Sequence, residues 1–117
     1  MKKLMFGLVL MLCFSFTASA DDVKNGEAIF HKKCKACHRL TDGTKVGPGL
    51  LGVTKRRSME WLHRWLQNPK GMIKSGDPIA VALKKKYKKT MRKLKEMQTE
   101  QNRKDIIAFL KQNDSAL

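Results

Sequence analysis

The sequence predicts an all-α chain organised as one small domain. Apolar residues recur at helical spacing, and clusters of turn-forming residues separate the stretches where they do. No alternating run of β-branched residues and no Asn-Gly hairpin signal occurs, so a sheet is not expected. At 117 residues the chain is too short for a second domain.

The N-terminus reads as a leader. Lys2 and Lys3 precede an apolar run from Leu4 to Phe16, and Ala18-Ser19-Ala20 closes it. That is the layout of a secretory signal peptide cleaved after Ala20. An uncleaved anchor is the alternative, but the run falls short of the roughly 20 apolar residues a spanning helix needs. Cys13 lacks a small residue before it and is read as a bystander to any lipid attachment. Cleavage removes two of the 25 Lys and Arg and none of the ten acids, so the formal charge falls from +15 to +13. Residues 21–117 then form a single exported domain, in a periplasm or an equivalent compartment where paired thiols are normally oxidised. A chain of this size buries only about two-thirds of its unfolded surface, so a covalent or bound staple would help it.

The elements follow in order. A first helix is expected from Val23 to Lys33, with Ile29 and Phe30 on its apolar side and Gly26 one turn earlier. The stretch TDGTKVGPGLLG, residues 41–52, is a loop by its turn residues. Ser58 caps a second helix, SMEWLHRWLQ, which repeats Trp61, Leu62, Trp65 and Leu66 and stops at Asn68-Pro69. Asp77 as N-cap and Pro78 at the first helical position open a third, with Ile79, Ala82, Leu83 and Tyr87 on one face. Thr99 caps a terminal helix in which Ile106, Phe109 and Leu110 recur.

Chemistry concentrates in Cys34-Lys35-Ala36-Cys37-His38, which reads as a c-type haem attachment site. On a helical turn, residues three apart share a side, so both thiols can reach the two vinyl groups on one porphyrin edge. The next residue can bring its imidazole to the iron. A thioredoxin-like redox pair would need a βαβ context, and a zinc site would need four ligands where only Cys34, Cys37 and His31 or His63 offer themselves. A plain disulfide is the remaining alternative.

These residues resemble small monohaem class I cytochromes c, over about Val23 to Lys111. The resemblance implies an all-α domain wrapped around one covalently bound haem c. Gly26 and Phe30 match the Gly-x-x-x-aromatic of that family's first helix, and Ala108-Phe109-Leu110 matches the aromatic segment of its last. The family crosses these helices closely, which a glycine permits because it has no Cβ. Val46-Gly47-Pro48-Gly49-Leu50 stands where the family carries Gly-Pro-x-Leu. By resemblance, the Pro48 carbonyl accepts a hydrogen bond from His38, which fixes the ring and raises its donor strength, and Leu50 packs on the proximal haem face. Trp61 and Arg57 resemble groups that hydrogen-bond haem propionates, although Trp61 serves equally well as core.

A methionine usually closes the far side of the iron in electron-shuttling cytochromes c and raises the potential. Met59, Met72, Met91 and Met97 are available after the leader. Family position favours Met91, 18 residues before Phe109, with Met72 in the expected loop NPKGMIKSG as the fallback. Met59 reads as a packing residue at a helix start, and Met97 as the apolar residue that opens the last helix. The family commonly has Met-Pro, whereas Arg92 follows Met91 here. A looser loop keeps open a haem protein with a displaceable sixth site, acting as a sensor or small-molecule redox enzyme. His31 and His63 read as exposed helix residues.

Eight of the twelve residues from Lys84 to Lys95 are Lys or Arg, flanking Met91. Such a cluster suits fast, reversible meetings with acidic redox partners, and it also fits weak contact with an anionic membrane surface. A solvated, merely solubilising face is the plain alternative. Nucleic acid is not expected, because no aromatic-interleaved basic motif occurs. The expected function is therefore single-electron transfer by a monomer in transient complexes, without enzymatic turnover. The alternatives are the displaceable-site protein and a subunit of a larger oxidoreductase.

Overall fold

The computed structural model describes residues 21–117. The expected signal peptide, residues 1–20, lies outside the described residues. Six α-helices and no strand occur among the described residues: α1 Val23–Ile29, α2 Val53–Arg56, α3 Met59–Gln67, α4 Pro69–Lys74, α5 Pro78–Tyr87 and α6 Glu100–Asp114.

Local side chains start most of these helices. Asp22 accepts the Asn25 N–H at 3.0 Å, Ser58 the Trp61 N–H at 3.1 Å, Asp77 the Ala80 N–H at 2.9 Å and Thr99 the Asn102 N–H at 3.3 Å. Each satisfies a donor that the helix itself leaves without a partner. Pro69 and Pro78 stand at helix starts, where a missing N–H costs nothing.

Three elements differ from expectation. The first helix does not run regularly to Lys33: after Ile29 it widens into a π turn over Phe30–Cys34, and the Lys35 N–H reaches back to the Phe30 carbonyl at 2.9 Å. Ile29, Phe30 and Cys34 are all buried as a result. The segment 69–74, expected as loop, is α4. Asn68 caps it by accepting the Gly71 N–H at 3.1 Å, and Met72 is buried beneath it. Helix α2 has no local cap at all. Gly52, with φ +81°, precedes its first residue, and the N–H groups of Gly52 and Thr54 go to Asp114 at the far end of the chain while that of Val53 returns to the Leu50 carbonyl.

The terminal helices α1 and α6 form the frame. A Cβ on Gly26 would overlap the Asp105 carbonyl and come within 2.9 Å of the Phe109 Cβ, so only glycine permits this approach. Phe30 and Phe109 meet beside the crossing, with ring centroids 5.7 Å apart. The core continues through Leu62, Leu66, Met97, Ile106, Ile107 and Leu110. Met97 is wholly buried, as expected of the residue that opens the last helix, whereas Met59 is 52 % exposed and packs little.

Two carboxylates are buried on α6. Asp105 accepts hydrogen bonds from the Asp22 N–H, Asn25 Nδ2 and Gln101 Nε2, each at 2.8 Å. Asp114 accepts from the Gly52 N–H at 2.6 Å and from the N–H and hydroxyl of Thr54 at 2.9 and 2.6 Å. Burial works against ionisation in both, but these donors outweigh it and leave each carboxyl below its ordinary range.

Candidate haem site

A cavity of about 990 Å³ opens between the loop after His38, α3, α5 and α6, at the upper end of the roughly 300–1,000 Å³ typical of ligand sites. Phe30, Leu50, Leu62, Leu83, Leu94 and Ile106 supply much of its wall, each from a different segment. The face of α5 expected to be apolar through Ile79, Ala82, Leu83 and Tyr87 lines this cavity. Ala80, on another side of the helix, packs into the protein core and is fully buried.

Cys34, Cys37 and His38 stand together at the cavity. The Cys37 and His38 N–H groups both return to the Cys34 carbonyl, at 3.1 and 2.9 Å, so the three side chains leave a single turn. Burial pushes the Cys34 thiol up to about 11, and the neighbouring Cys37 and Glu96 push the same way. Cys34 is thus a buried sulfur, unlike the exposed low-pKa thiolate of a redox-active cysteine pair.

The following loop is built around His38. The N–H groups of Val46 and Gly47 both donate to the Cys37 carbonyl, at 3.2 and 2.9 Å, and the Leu50 N–H donates to Arg39. Pro48 then presents its carbonyl 2.8 Å from His38 Nδ1. A carbonyl only accepts, so Nδ1 carries the proton and Nε2 keeps its lone pair. Burial lowers the His38 pKa, against an upward pull from the Pro48 bond, which keeps the imidazole neutral as a metal ligand requires. A Cβ on Gly47 would stand 2.6 Å from His38 Cε1. Gly47 is marked in the sequence as the glycine of the Gly-Pro-x-Leu segment, and the structure adds that its missing side chain leaves room for the His38 ring.

Of the four methionines among the described residues, Met91 alone lines the cavity. It is partly buried and packs against the core. Met72, the fallback, is turned into the core under α4, away from this cavity. Leu50, Arg57 and Trp61 also line it. The indole N–H of Trp61, however, donates to Asp77 Oδ1 at 3.0 Å. Neither His31 nor His63 lines the cavity. His31 is exposed beside Glu27, and His63 is half-buried and accepts from Arg103 Nε at 3.3 Å.

The rival readings of the two cysteines fare differently. No group of three or more His, Cys, Asp or Glu that could hold a metal ion occurs among the described residues, so a zinc site is not assembled. No strand among the described residues supports a thioredoxin-like pair. By contrast, two thiols and an imidazole of settled tautomer at the edge of a large apolar cavity fit a covalently attached haem, and Arg57, Lys86 and Lys89 line the same cavity.

The comparisons agree with this fit. A family model described as cytochrome c matches residues 23–114. A cytochrome c2 of Blastochloris viridis is 42 % identical over 60 residues, which cover 50 % of this chain and 46 % of that one. The match to that relative therefore spans about half of its length. A cytochrome c of Gossypium barbadense is 30 % identical over 118 residues, covering 82 % of this chain and 94 % of its own. Among solved structures, a cytochrome c from Rhodothermus marinus superposes with a TM-score of 0.74 at 32 % identity, covering 81 % of this chain and 78 % of that one. An engineered cytochrome c from the same source, bound to a carbene intermediate, gives 0.68 at 36 % identity and covers 79 % and 76 %. With the family's match running from the first turn of α1 to the last of α6, the chain belongs to the cytochrome c family and carries a covalently bound haem c.

Proposed function

We propose that this chain is an exported electron carrier, formed by residues 21–117 after cleavage of residues 1–20, that passes single electrons between partner proteins in a periplasm-like compartment. Bound haem supplies a one-electron iron couple whose potential the axial ligands tune. Cys34 and Cys37 would anchor it, His38 and Met91 would ligate the iron, and Arg57 would bind a carboxylate. The Pro48 carbonyl holds the proton on His38 Nδ1 so that Nε2 is the donor atom. Phe30, Leu50, Leu62 and Leu94 keep water from the porphyrin faces.

The observation that carries this reading is Met91's place as the only methionine of the described residues at the cavity that also holds His38. The basic run supports acidic partners. No Lys or Arg from Lys84 to Lys95 forms an ion pair among the described residues, so its charge is available to an incoming surface.

Absorption of the oxidised protein, produced in a host that attaches c-type haem, tests the ligand pair. Wild type is expected to show a weak far-red sulfur-to-iron band that Met91→Ala abolishes. A mutant that keeps the band overturns Met91 as ligand.

A second reading rests on the loop itself. Among the described residues, none of the backbone N–H groups of residues 89–94 donates a hydrogen bond, and the segment's backbone is tied down only at its end, where the Leu94 carbonyl accepts from the Met97 N–H at 3.1 Å and Gln98 Nε2 at 3.0 Å. Such a loop suits a sixth ligand that a small molecule can displace. Carbon monoxide separates the readings: a carrier with firmly bound Met91 resists it, and rapid binding by the wild type favours the displaceable site.

A further inference from the structure

Helix α3 places two indoles at the cavity wall. Trp61 and Trp65 stack with ring centroids 5.3 Å apart and planes 10° from parallel, and the Arg57 guanidinium carbon lies 5.6 Å from the Trp61 ring centroid. Trp61 is 8 % exposed, so its N–H needs a partner within the protein. The resemblance assigns that partner to a haem propionate. In the structure it is Asp77, sixteen residues away, whose Oδ1 accepts the indole N–H at 3.0 Å and the Ala80 N–H at 2.9 Å. One oxygen has two lone pairs and can serve both donors.

The arrangement has two consequences. With the indole N–H occupied, Trp61 is not the donor available to a carboxylate at this edge. Arg57 is: its guanidinium lines the cavity and makes no hydrogen bond among the described residues. The Trp61–Asp77 bond also ties the middle of α3 to the first turn of α5, the helix whose apolar face forms another wall. A carboxylate on the N–H further polarises the indole, which strengthens its hold on a cation.

We propose that Asp77 is a positioning residue of the haem site: by accepting the Trp61 indole N–H it locks the tryptophan stack and holds Arg57 at the cavity as the carboxylate-binding group. The inference rests on the haem-carrier reading, but its first readout does not depend on electron transfer. The sequence shows Asp77 only as a helix cap, and because both bonds converge on a single oxygen, separating the two roles takes a residue that caps the helix without reaching the indole.

Two variants of the holoprotein make the separation. Asp77→Asn retains an oxygen that can accept both bonds and removes the charge. Asp77→Ser retains a good helix cap, since Ser, Asn and Asp serve almost equally, but is too short to reach the indole. Asp77→Ser is expected to melt somewhat below Asp77→Asn, because the buried indole N–H loses its acceptor. The tryptophan bands of the near-ultraviolet circular dichroism spectrum should survive in Asp77→Asn and lose intensity in Asp77→Ser. The midpoint potential of Asp77→Ser should shift away from that of Asp77→Asn, because Arg57 is released.

Matching tryptophan bands and matching midpoints in the two variants overturn the proposal and leave Asp77 as a cap alone. If Asp77→Ser melts far below Asp77→Asn, Trp61→Phe replaces it, because that change spares the α5 cap. A midpoint in Trp61→Phe equal to wild type then overturns the proposal, and a shifted midpoint supports it. Loss of the haem reading itself would show separately, as an absent visible haem spectrum with the tryptophan bands still measurable.

Discussion

Gly47 and His38 show how little room the site leaves at the level of single residues. A methyl group on Gly47 meets the imidazole at 2.6 Å from Cε1, so the ring must move or the loop must lift. Either motion stretches the 2.8 Å bond from Nδ1 to the Pro48 carbonyl. Gly47→Ala is therefore expected to destabilise the holoprotein by about 1–3 kcal/mol, the usual cost of overpacking a well-filled site, and to shift the midpoint potential. Thermal melting and a redox titration check this together. An unchanged melt with an unchanged midpoint would mean that the loop has slack. Cys34, Cys37 and His38 were legible in sequence because their spacing is itself the chemistry. Gly47's role was not, since any turn accepts a glycine and only the folded loop reveals what its missing side chain avoids.

At the scale of elements, the caps of α3, α5 and α6 were readable because each is a side chain three residues before the donor it satisfies. The cap of α2 was not readable. Asp114 supplies it from sixty residues away in sequence, and the same carboxylate reaches the Thr54 hydroxyl. Asp105 likewise ties α6 to the start of α1. Both carboxyls have native pKa values below their ordinary range, so the stability they lend is fully present above that range. It is lost as pH falls through the lower native values. The melting temperature is thus expected to hold down to about pH 4, near the reference carboxylate value, and to fall on further acidification. Asp114→Asn should flatten that fall while lowering the melting temperature at neutral pH, because an amide meets three donors less well than a carboxylate. A melting profile of the variant that still tracked the wild type below pH 4 would remove Asp114 from the explanation.

Across the whole molecule, the ten acids are spent mostly on the interior and on helix ends, while the basic residues face outwards. Asp22, Asp77, Asp105 and Asp114 accept hydrogen bonds, and Glu96 and Glu100 pair with Lys33 and Lys104. The segment from Lys84 to Lys95 carries eight cations and no acid, and it borders the cavity through Lys86, Lys89, Met91 and Arg92. Reversing Lys84 and Lys88 to Glu is expected to slow association with an acidic redox protein on the order of tenfold at low salt and to weaken the salt dependence. The dissociation rate should change less. Stopped-flow rates over a salt series check this, and rates indifferent to both salt and reversal would leave the basic run as a merely solubilising face.

The sequence alone determined the helical class, the attachment motif and four helix starts, because each depends on neighbours within one or two turns. It also placed the interval that makes Met91 the favoured methionine. Tertiary structure decided what depends on distant pairs. Met72 left the list of cavity residues because α4 formed where a loop was expected, and helix packing then drew its side chain inward. The face of α5 proved to line the cavity rather than the protein core, a distinction that periodicity cannot make, since it reports which side is apolar and not what covers it. Trp61 found Asp77 for the same reason: an indole N–H signals a need for an acceptor, and only the approach of α3 to the start of α5 determines which acceptor stands within reach.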